Sequence, residues 1–376
     1  MDCVNIIQTK YGLFSKRLHE NILKYHIPVS GSIELTPRCN LNCMHCYINQ
    51  PVNDHQTKKR ELTEAQWIDL INQIVDEGCL WLLFTGGEPF VRKDFLNIYT
   101  HAKKKGLLIS LFTNGTMITK EIANYLAEWT PFEIEITLYG RTQKTYEQVT
   151  GVPGSHQLCY QSIDYLLEHG IPLQLKTVVF RSNKHEVRDM RAFAKDRGLS
   201  FRYDVMINRR IDGSDTQKAC RLSPQEIIEF ESEDEERTSG WRDLWNRMGN
   251  IQITDDRLYT CGAGRDNFHI DSFGNLCLCM MARRPDYNLL HGSFHEGWKH
   301  FIPGIIKRKR KKPIPCQECD IKVLCDHCPG WADVEMGDVE GHVPYLCEIA
   351  HLRARQMGIE AGTQNNERKK EYNLNG

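Results

Sequence analysis

Six short apolar runs, each separated from the next by an amphipathic segment, divide residues 31–208 into a strand–helix repeat, and this alternation restricts the chain to folds built on a parallel sheet. The runs 32–36, 80–85, 107–113, 132–138, 173–180 and 201–207 read as strands. Between them, 63–77, 92–105, 119–128, 156–169 and 183–197 carry the spacing of helices with one apolar side. Gly78, Gly106, Gly170 and Gly198 each fall where a helix must stop before the next strand. Glycine relieves the left-handed conformation that ends many helices. Six units are fewer than the eight that close a barrel. The periodicity is satisfied equally by an open sheet and by an incomplete barrel.

The rest of the chain does not continue this rhythm. Residues 224–237 (PQEIIEFESEDEER) are strongly acidic and read as a solvated helix face or linker. From Cys261 the sequence is rich in Cys and Gly, which marks a second module held by metal more than by a core of its own. The organisation expected is an N-terminal extension (1–30), a core (31–220), a linker (221–255), a cysteine-rich domain (256–352) and a polar tail (353–376). The 48 basic and 49 acidic side chains nearly balance, so nothing global points to nucleic acid or a membrane surface. The opening residues lack the apolar stretch of a signal peptide. The longest apolar run, 79–84, is too short to cross a bilayer. A cytoplasmic protein is expected, and in that reducing compartment fifteen cysteines in close groups suit metal or redox work better than disulfides.

The first strand leads into Cys39-Asn-Leu-Asn-Cys43-Met-His-Cys46. Parallel β/α folds place their chemistry on such loops at strand C-termini. A closed zinc site takes four ligands. Three thiolates on a cubane leave one iron free for a small molecule. The second strand ends in Thr85-Gly86-Gly87-Glu88-Pro89, where glycines allow close backbone approach and Glu88 supplies acceptors for an ammonium group. Thr113-Asn114-Gly115 and Thr137-Leu138-Tyr139-Gly140 follow at the next two strand ends. Turn chemistry alone accounts for these two almost as well as a ligand contact does.

With this triplet and the GGEP segment, the region from Gly31 to Asn208 resembles the radical S-adenosylmethionine (radical SAM) superfamily. The resemblance implies a partial (β/α)6 TIM-type barrel. It also implies a [4Fe–4S] cluster on Cys39, Cys43 and Cys46 whose open iron binds S-adenosyl-L-methionine, with one-electron cleavage to a 5′-deoxyadenosyl radical. His45, where the family has an aromatic residue, would lie near the adenine; Gly86, Gly87 and Glu88 would hold the methionine amino group; Asn114 and Thr137 would line the cofactor cleft. The C-terminal array Cys261, Cys279, Cys316, Cys319, Cys325, Cys328 and Cys347 resembles the SPASM extension, which carries auxiliary iron–sulfur clusters. By that analogy Cys261, Cys279 and Cys328 hold a nearer cluster, and Cys316, Cys319, Cys325 and Cys347 a farther one. Two fully cysteine-ligated clusters need eight thiolates. Asp271–Asn275 reads as a turn joining two short strands, and on the second Cys277 and Cys279 would share a face, so Cys277 could be the eighth; otherwise one iron stays open or a smaller cluster forms. A zinc ribbon on Cys316, Cys319, Cys325 and Cys328 is the competing reading.

The family analogy further implies maturation of a ribosomal peptide or protein by a crosslink, thioether or oxidation, with a flavodoxin or ferredoxin as reductant. The alternatives are radical modification of a small molecule, such as an antibiotic precursor or tetrapyrrole, and a non-catalytic iron–sulfur or zinc protein. Sulfatase-maturing enzymes are disfavoured: where they carry a carboxylate after the cysteine, this chain has Met280, and no catalytic base can be named. About thirty residues before the first strand are too few for a separate leader-binding domain. Cys3, Cys79, Cys159 and Cys220 match no ligand spacing and read as buried or idle thiols; the run 307–312 (KRKRKK) reads as a solvated loop ahead of a dock for an acidic partner or peptide, and Trp241, Trp245, Trp298 and Trp331 as packing residues ahead of the lining of a cleft.

Overall fold

Each of the six apolar runs forms a strand, and all six lie parallel in one sheet. In spatial as in chain order they are β1 (Ser30–Glu34), β2 (Trp81–Thr85), β3 (Leu108–Thr113), β4 (Glu133–Thr137), β5 (Leu173–Val178) and β6 (Phe201–Asp204). The computed structural model describes residues 11–249, 256–312, 316 and 319–359; Cys3, Pro313, Pro315 and the polar stretch from Gly362 lie outside them. After α1 (Tyr11–Tyr25), the connecting helices are α2 (Glu64–Asp76), α3 (Phe95–Lys104), α4 (Lys120–Glu128), α5 (Ser155–Glu168) and α6 (Val187–Asp196). Thr63 and Gln66 cap α2 reciprocally, and Trp67, Leu70, Ile71 and Ile74 form its buried stripe. The four glycines that follow α2, α3, α5 and α6 all adopt positive φ.

Side chains alternate across this sheet. Ile33, Phe84, Ile109, Leu111, Ile134, Ile136 and Leu175 join Trp67, Ile71, Ile98 and Ile163 of the helices in one buried cluster. The opposite face is polar. On it Ser110 and Gln174 both donate to Glu133, while Lys176 and Arg202 pair with Glu135. The fold is the partial TIM-type α/β barrel, and this polar ladder lines the side away from the helices.

The sheet does not end at β1. β7 (Asn267–Ile270) pairs parallel with β1, β8 (Asn275–Cys277) returns antiparallel, and β9 (Tyr287–Asn288) closes the edge. Asp271 accepts from the backbone N–H groups of Phe273 and Asn275, fixing the turn between β7 and β8. The first part of the cysteine-rich region thus shares the barrel's core. Phe268, Ile270, Leu276, Phe294 and Trp298 belong to the same buried cluster as the barrel helices. Their apolar character is scattered among Cys, Gly and Asp, so no period reveals it.

Of the two readings of the acidic stretch, helix face and linker, the structure has the helix. Within 221–255, expected as a linker, α7 (Pro224–Ser232) and α8 (Glu235–Met248) are regular helices. Ile227, Ile228 and Glu231 are buried on one side of α7, which packs on α8 and on α9 (Pro344–Gln356). Glu231 takes two bonds from Arg353, of 3.0 and 3.1 Å, and the guanidinium lies 3.8 Å from the centre of the Trp241 ring. Counting charges hides this, because one buried Glu is indistinguishable in sequence from its solvated neighbours. Among the described residues no helix is long and apolar enough to cross a membrane.

The junction of β1 and β7 is tightly packed: a Cβ on Gly31 would lie 2.2 Å from the Phe268 ring, which faces it in register. Gly31→Ala should lower stability by about 1–3 kcal/mol, as overpacking does. Adding Phe268→Leu should recover part of that loss, measured by anaerobic denaturant unfolding of the reconstituted protein.

Candidate active site

The loop after β1 is tied down on every side. Arg38–Cys39 pairs with Gln50–Pro51, which brings the two ends of the cysteine loop together. Inside it, Asn42 N–H donates to Thr150 O at 2.8 Å and Met44 N–H to Val149 O at 3.2 Å. The Cys46 carbonyl accepts from Arg210 and Gln217 at 3.2 and 3.1 Å. This gives a role to the stretch from Tyr146 to Gly154, which the sequence leaves without one: it is the wall against which the loop is hydrogen-bonded. Below the loop, buried Glu61 binds Arg38 through both carboxylate oxygens, at 2.7 and 2.9 Å, with Arg92 at 3.7 Å.

Cys39 and Cys43 are buried and Cys46 is nearly so. Burial pushes the Cys39 thiol up to about 12, and the Glu88 carboxylate adds to the rise. Cys43 is raised by burial and then by its neighbours Cys46 and Cys39, so the three sulfurs share one electrostatic neighbourhood. Burial also raises Cys46. The Leu41 N–H, at 3.4 Å, and Asn114 Nδ2, at 3.6 Å, are aimed at Cys39 Sγ, where they would favour a thiolate. Three crowded, buried thiols give up their protons only where metal charge compensates them, so this donor set fits an iron cluster.

The GGEP segment approaches protein before anything else. Gly87 N–H donates to Thr36 O at 2.7 Å and Glu88 N–H to Arg38 O at 2.9 Å. A Cβ on Gly86 would lie 2.4 Å from Thr36 O, and one on Gly87 2.4 Å from Arg38 O. These glycines let the end of β2 lie against the start of the cysteine loop. Glu88 is fully buried; its oxygens accept from Phe90 N–H, Thr113 Oγ1 and Asn114 N–H, and burial raises the carboxyl to about 7. Asn114 in turn donates to Asn40 at 3.0 Å, and Asn40 to Thr116 at 2.8 Å. Gly86, Gly87, Glu88 and Asn114 thus converge on Cys39.

The other two expected contacts lie farther out. His45 packs on Phe180, with centroids 4.9 Å apart, and against Tyr139 at 5.2 Å. Burial lowers its ring to about 4, and its buried Nδ1 has no hydrogen-bond partner among the described residues. Thr137 ends β4 on the polar face, in register with Lys176. Burial pulls the Lys176 ammonium down to about 7, against the Glu135 carboxylate 3.1 Å away.

Several residues of the site carried no sequence signal: Glu61, Asn40, Glu34 and Arg283. Arg283 Nη2 donates to buried Glu34 at 2.7 Å, joining the loop after β8 to the end of β1. Beside it, Tyr47 OH lies 3.9 Å from Met280 Sδ. A path of direct contacts therefore runs from the residue after Cys46 to the residue after Cys279.

The C-terminal cysteines fall into two neighbourhoods. The Cys328 thiol is raised by burial and then by Cys279 and Cys261. Cys316 is raised by burial and then by Cys347 and Cys319; Cys325 by burial, then by Asp326, Cys316 and Cys347. Cys328 thus keeps company with Cys261 and Cys279, not with the other three cysteines of a zinc ribbon. No group of three or more His, Cys, Asp or Glu among the described residues closes around a single metal ion. Thiolates of a cubane sit on different irons and stand wider apart. Cys277 is the last residue of β8; burial raises its thiol first, and the Cys279 charge adds to the rise. Its buried thiol lies 3.4 Å from Arg283 O and 3.6 Å from Asn275 O, as a donor to those carbonyls. Cys79, Cys159 and Cys220 are buried, as expected.

Comparisons with known proteins bear on the family and the fold. Residues 33–194 match the family model of the Radical SAM superfamily. The chain is 30% identical over 311 residues to the PqqA peptide cyclase of Bradyrhizobium diazoefficiens, covering 80% of each chain. It is 30% identical over 334 residues to the AdoMet-dependent heme synthase of Methanosarcina barkeri, covering 83% of this chain and 94% of that one. The crystal structure of Streptococcus suis SuiB bound to S-adenosylmethionine shares the fold, with a TM-score of 0.64 at 18% identity over 92% of this chain and 82% of that one. This chain belongs to the radical SAM superfamily, whose members bind S-adenosylmethionine and a [4Fe–4S] cluster.

Proposed function

We propose that this chain is a radical SAM peptide maturase that forms a crosslink or thioether, or carries out an oxidation, on a ribosomal peptide or protein. The observation that carries the reading is the convergence of three buried thiols, the Gly86–Glu88 backbone and Asn114 at the C-terminal ends of β1, β2 and β3. Cys39, Cys43 and Cys46 would hold the cluster. Bound there, it supplies one electron for reductive cleavage of S-adenosylmethionine to methionine and a 5′-deoxyadenosyl radical, which takes a hydrogen atom from the substrate.

The protein's own share is orientation and exclusion of water. Leu41 N–H and Asn114 Nδ2 hold Cys39 by donating to its sulfur. Glu88 fixes the tips of β2 and β3 relative to one another. Thr137, Glu135 and Lys176 offer donors and acceptors on the polar face, where cofactor and substrate would lie. The grouping of Cys261, Cys279 and Cys328 apart from Cys316, Cys319, Cys325 and Cys347 supports two auxiliary clusters over a zinc ribbon. With Cys277 donating to carbonyls, the nearer cluster would keep an open iron. The peptide class is supported by likeness to a peptide cyclase across most of both chains. A tetrapyrrole substrate is the second reading, favoured by the similar match to the heme synthase. A cytoplasmic location and reduction by a flavodoxin or ferredoxin complete the proposal.

Anaerobic reconstitution should give about twelve irons per chain, and about eight in the Cys39→Ala/Cys43→Ala/Cys46→Ala variant, since each cubane holds four. That variant should form no 5′-deoxyadenosine. An iron count unchanged by the triple substitution would sink the ligand assignment. Activity on a tetrapyrrole but on no peptide encoded nearby would transfer the proposal to the second reading. Gly87→Ala places a methyl group on the Arg38 carbonyl. It should lower iron content by up to about four per chain and weaken S-adenosylmethionine binding at least about tenfold by equilibrium dialysis, while the auxiliary clusters persist.

A further inference from the structure

The barrel sheet ends at β6, and that edge is open. Leu175 N–H donates to Ser200 O and Val179 N–H to Asp204 O, with Leu175 in register with Phe201. In a parallel ladder this phase turns the N–H and C=O groups of alternate residues toward β5. Those of Phe201 and Tyr203 therefore face outward, and they have no hydrogen-bond partner among the described residues. An unpaired edge of this kind is a template for another extended chain.

Beside the edge lies a groove of about 450 Å³. Arg191 of α6, Phe201 and Tyr203 of β6, and Arg237, Trp241 and Leu244 of α8 line it. Asp234 ties the three elements together, accepting from Arg191 at 2.5 Å and from Tyr203 OH at 2.9 Å. The Arg237 guanidinium lies 5.6 Å from the centre of the Tyr203 ring and 5.5 Å from that of Trp241. Two features show that the space is kept open. Gly240, in the middle of α8, also lines the groove, and a Cβ there would meet nothing within 4 Å. Glycine weakens a helix interior relative to alanine, and no close approach within the chain requires it here. Trp241 Nε1 is buried with no hydrogen-bond partner among the described residues. Exposed Arg247, also in the lining, donates to the Asp243 carbonyl at 3.2 Å and forms no ion pair among the described residues.

The sheet decides what an occupant would meet. Side chains alternate across a strand. One face of a strand added to β6 would meet Trp241 and Leu244, and the other would continue the polar ladder of Glu135, Lys176 and Arg202. Such a strand is a seventh member of the partial barrel, with every second residue on the face where the site lies. We propose that the open edge of β6, with the groove between it and α8, binds an extended segment of the substrate peptide by strand addition. Apolar or aromatic side chains of that segment face Trp241 and Leu244, and a carboxylate faces Arg247. The proposal rests on the peptide-maturase reading and gives the substrate main chain its place.

The experiment uses the anaerobically reconstituted full chain with S-adenosylmethionine and a displayed library of random peptides of about twelve residues, twice an ordinary strand. Enriched peptides should alternate apolar and polar residues and slow hydrogen exchange at the Phe201 and Tyr203 amides at least about tenfold. N-methylation of every second peptide residue should weaken binding at least about tenfold in one phase and leave it unchanged in the other, since only alternate N–H groups meet the edge. Gly240→Phe sets a ring into the groove where its Cβ meets nothing, and a helix tolerates Phe better than Gly. It should weaken the same peptides at least about tenfold at wild-type iron content, while Gly240→Ala binds them as wild type does. Wild-type affinity in Gly240→Phe, or bound peptides that leave the Phe201 and Tyr203 amides unprotected, would overturn the proposal. So would a library that enriches nothing, or a dimer that Gly240→Phe dissociates, which would give the edge to a second copy of this chain. Modification of a tetrapyrrole and of no peptide, even with the groove occupied, would instead overturn the underlying peptide-maturase reading.

Discussion

The active site depends on a backbone-to-backbone contact that two absent side chains make possible. At Gly86 and Gly87 the end of β2 lies so close to residues 36–38 that a Cβ at either position would overlap a carbonyl oxygen. The hydrogen bonds Gly87 N–H to Thr36 O and Glu88 N–H to Arg38 O follow from that approach. They set where the cysteine loop leaves the sheet, and hence where Cys39 stands relative to Glu88 and Asn114. Glu61 holds the same segment from below through Arg38. Loops are ordinarily the mobile part of an α/β protein; here one is over-determined. A site that handles a radical needs that, because small displacements of a reacting group are costly in rate.

The same rigidity reaches the C-terminal half through charge and through the sheet. Buried Glu34 ends β1 on its polar face, and its partner Arg283 comes from the loop after β8. Burial alone would disfavour both charges. Glu34 and its neighbours hold the Arg283 cation, so removing either partner would leave the other charge stranded. β7 adds to β1 by continuing the parallel register, so the barrel strands and the cysteine-bearing hairpin form one hydrogen-bonded layer. Tyr47 against Met280 then places the residue after the last triplet cysteine beside the residue after Cys279. Direct contacts thus join the triplet loop to the loop after β8.

Much of the barrel was legible in the sequence because it repeats. Each of the six strands buries its apolar face under helices, so hydrophobic runs and terminating glycines recur at the β/α period. The first strand alone is displaced: it was expected over 32–36 and spans Ser30–Glu34, since Gly31 hides a position that Phe268 fills from across the sheet. The hairpin β7–β8 was legible at its turn, since Asp271–Asn275 reads as a turn joining two short strands and does join them; that β7 extends the barrel sheet was not. Single-residue roles were illegible altogether. Glu61 and Glu231 look like any surface carboxylate until their arginine partners, distant in sequence, are folded against them.

The C-terminal cysteines show how tertiary structure groups side chains that local spacing would pair otherwise. Cys316, Cys319, Cys325 and Cys328 have the paired spacing of a zinc ribbon, and sequence proximity alone would put them on one ion. Cys328, however, is the N-terminal cap of the helix Pro329–Met336, where its sulfur accepts from Trp331 N–H at 3.3 Å. The helix start turns the side chain toward Cys279 and Cys261, and its place in the other group is taken by Cys347 on α9. Partner exchange of this kind requires α9 to be fixed against the rest of the domain. Arg353, one helical turn and a half beyond Cys347, fixes it by binding Glu231 of α7 and the Leu324 carbonyl. The acidic helix that composition presents as solvated surface therefore helps to decide which cysteines meet.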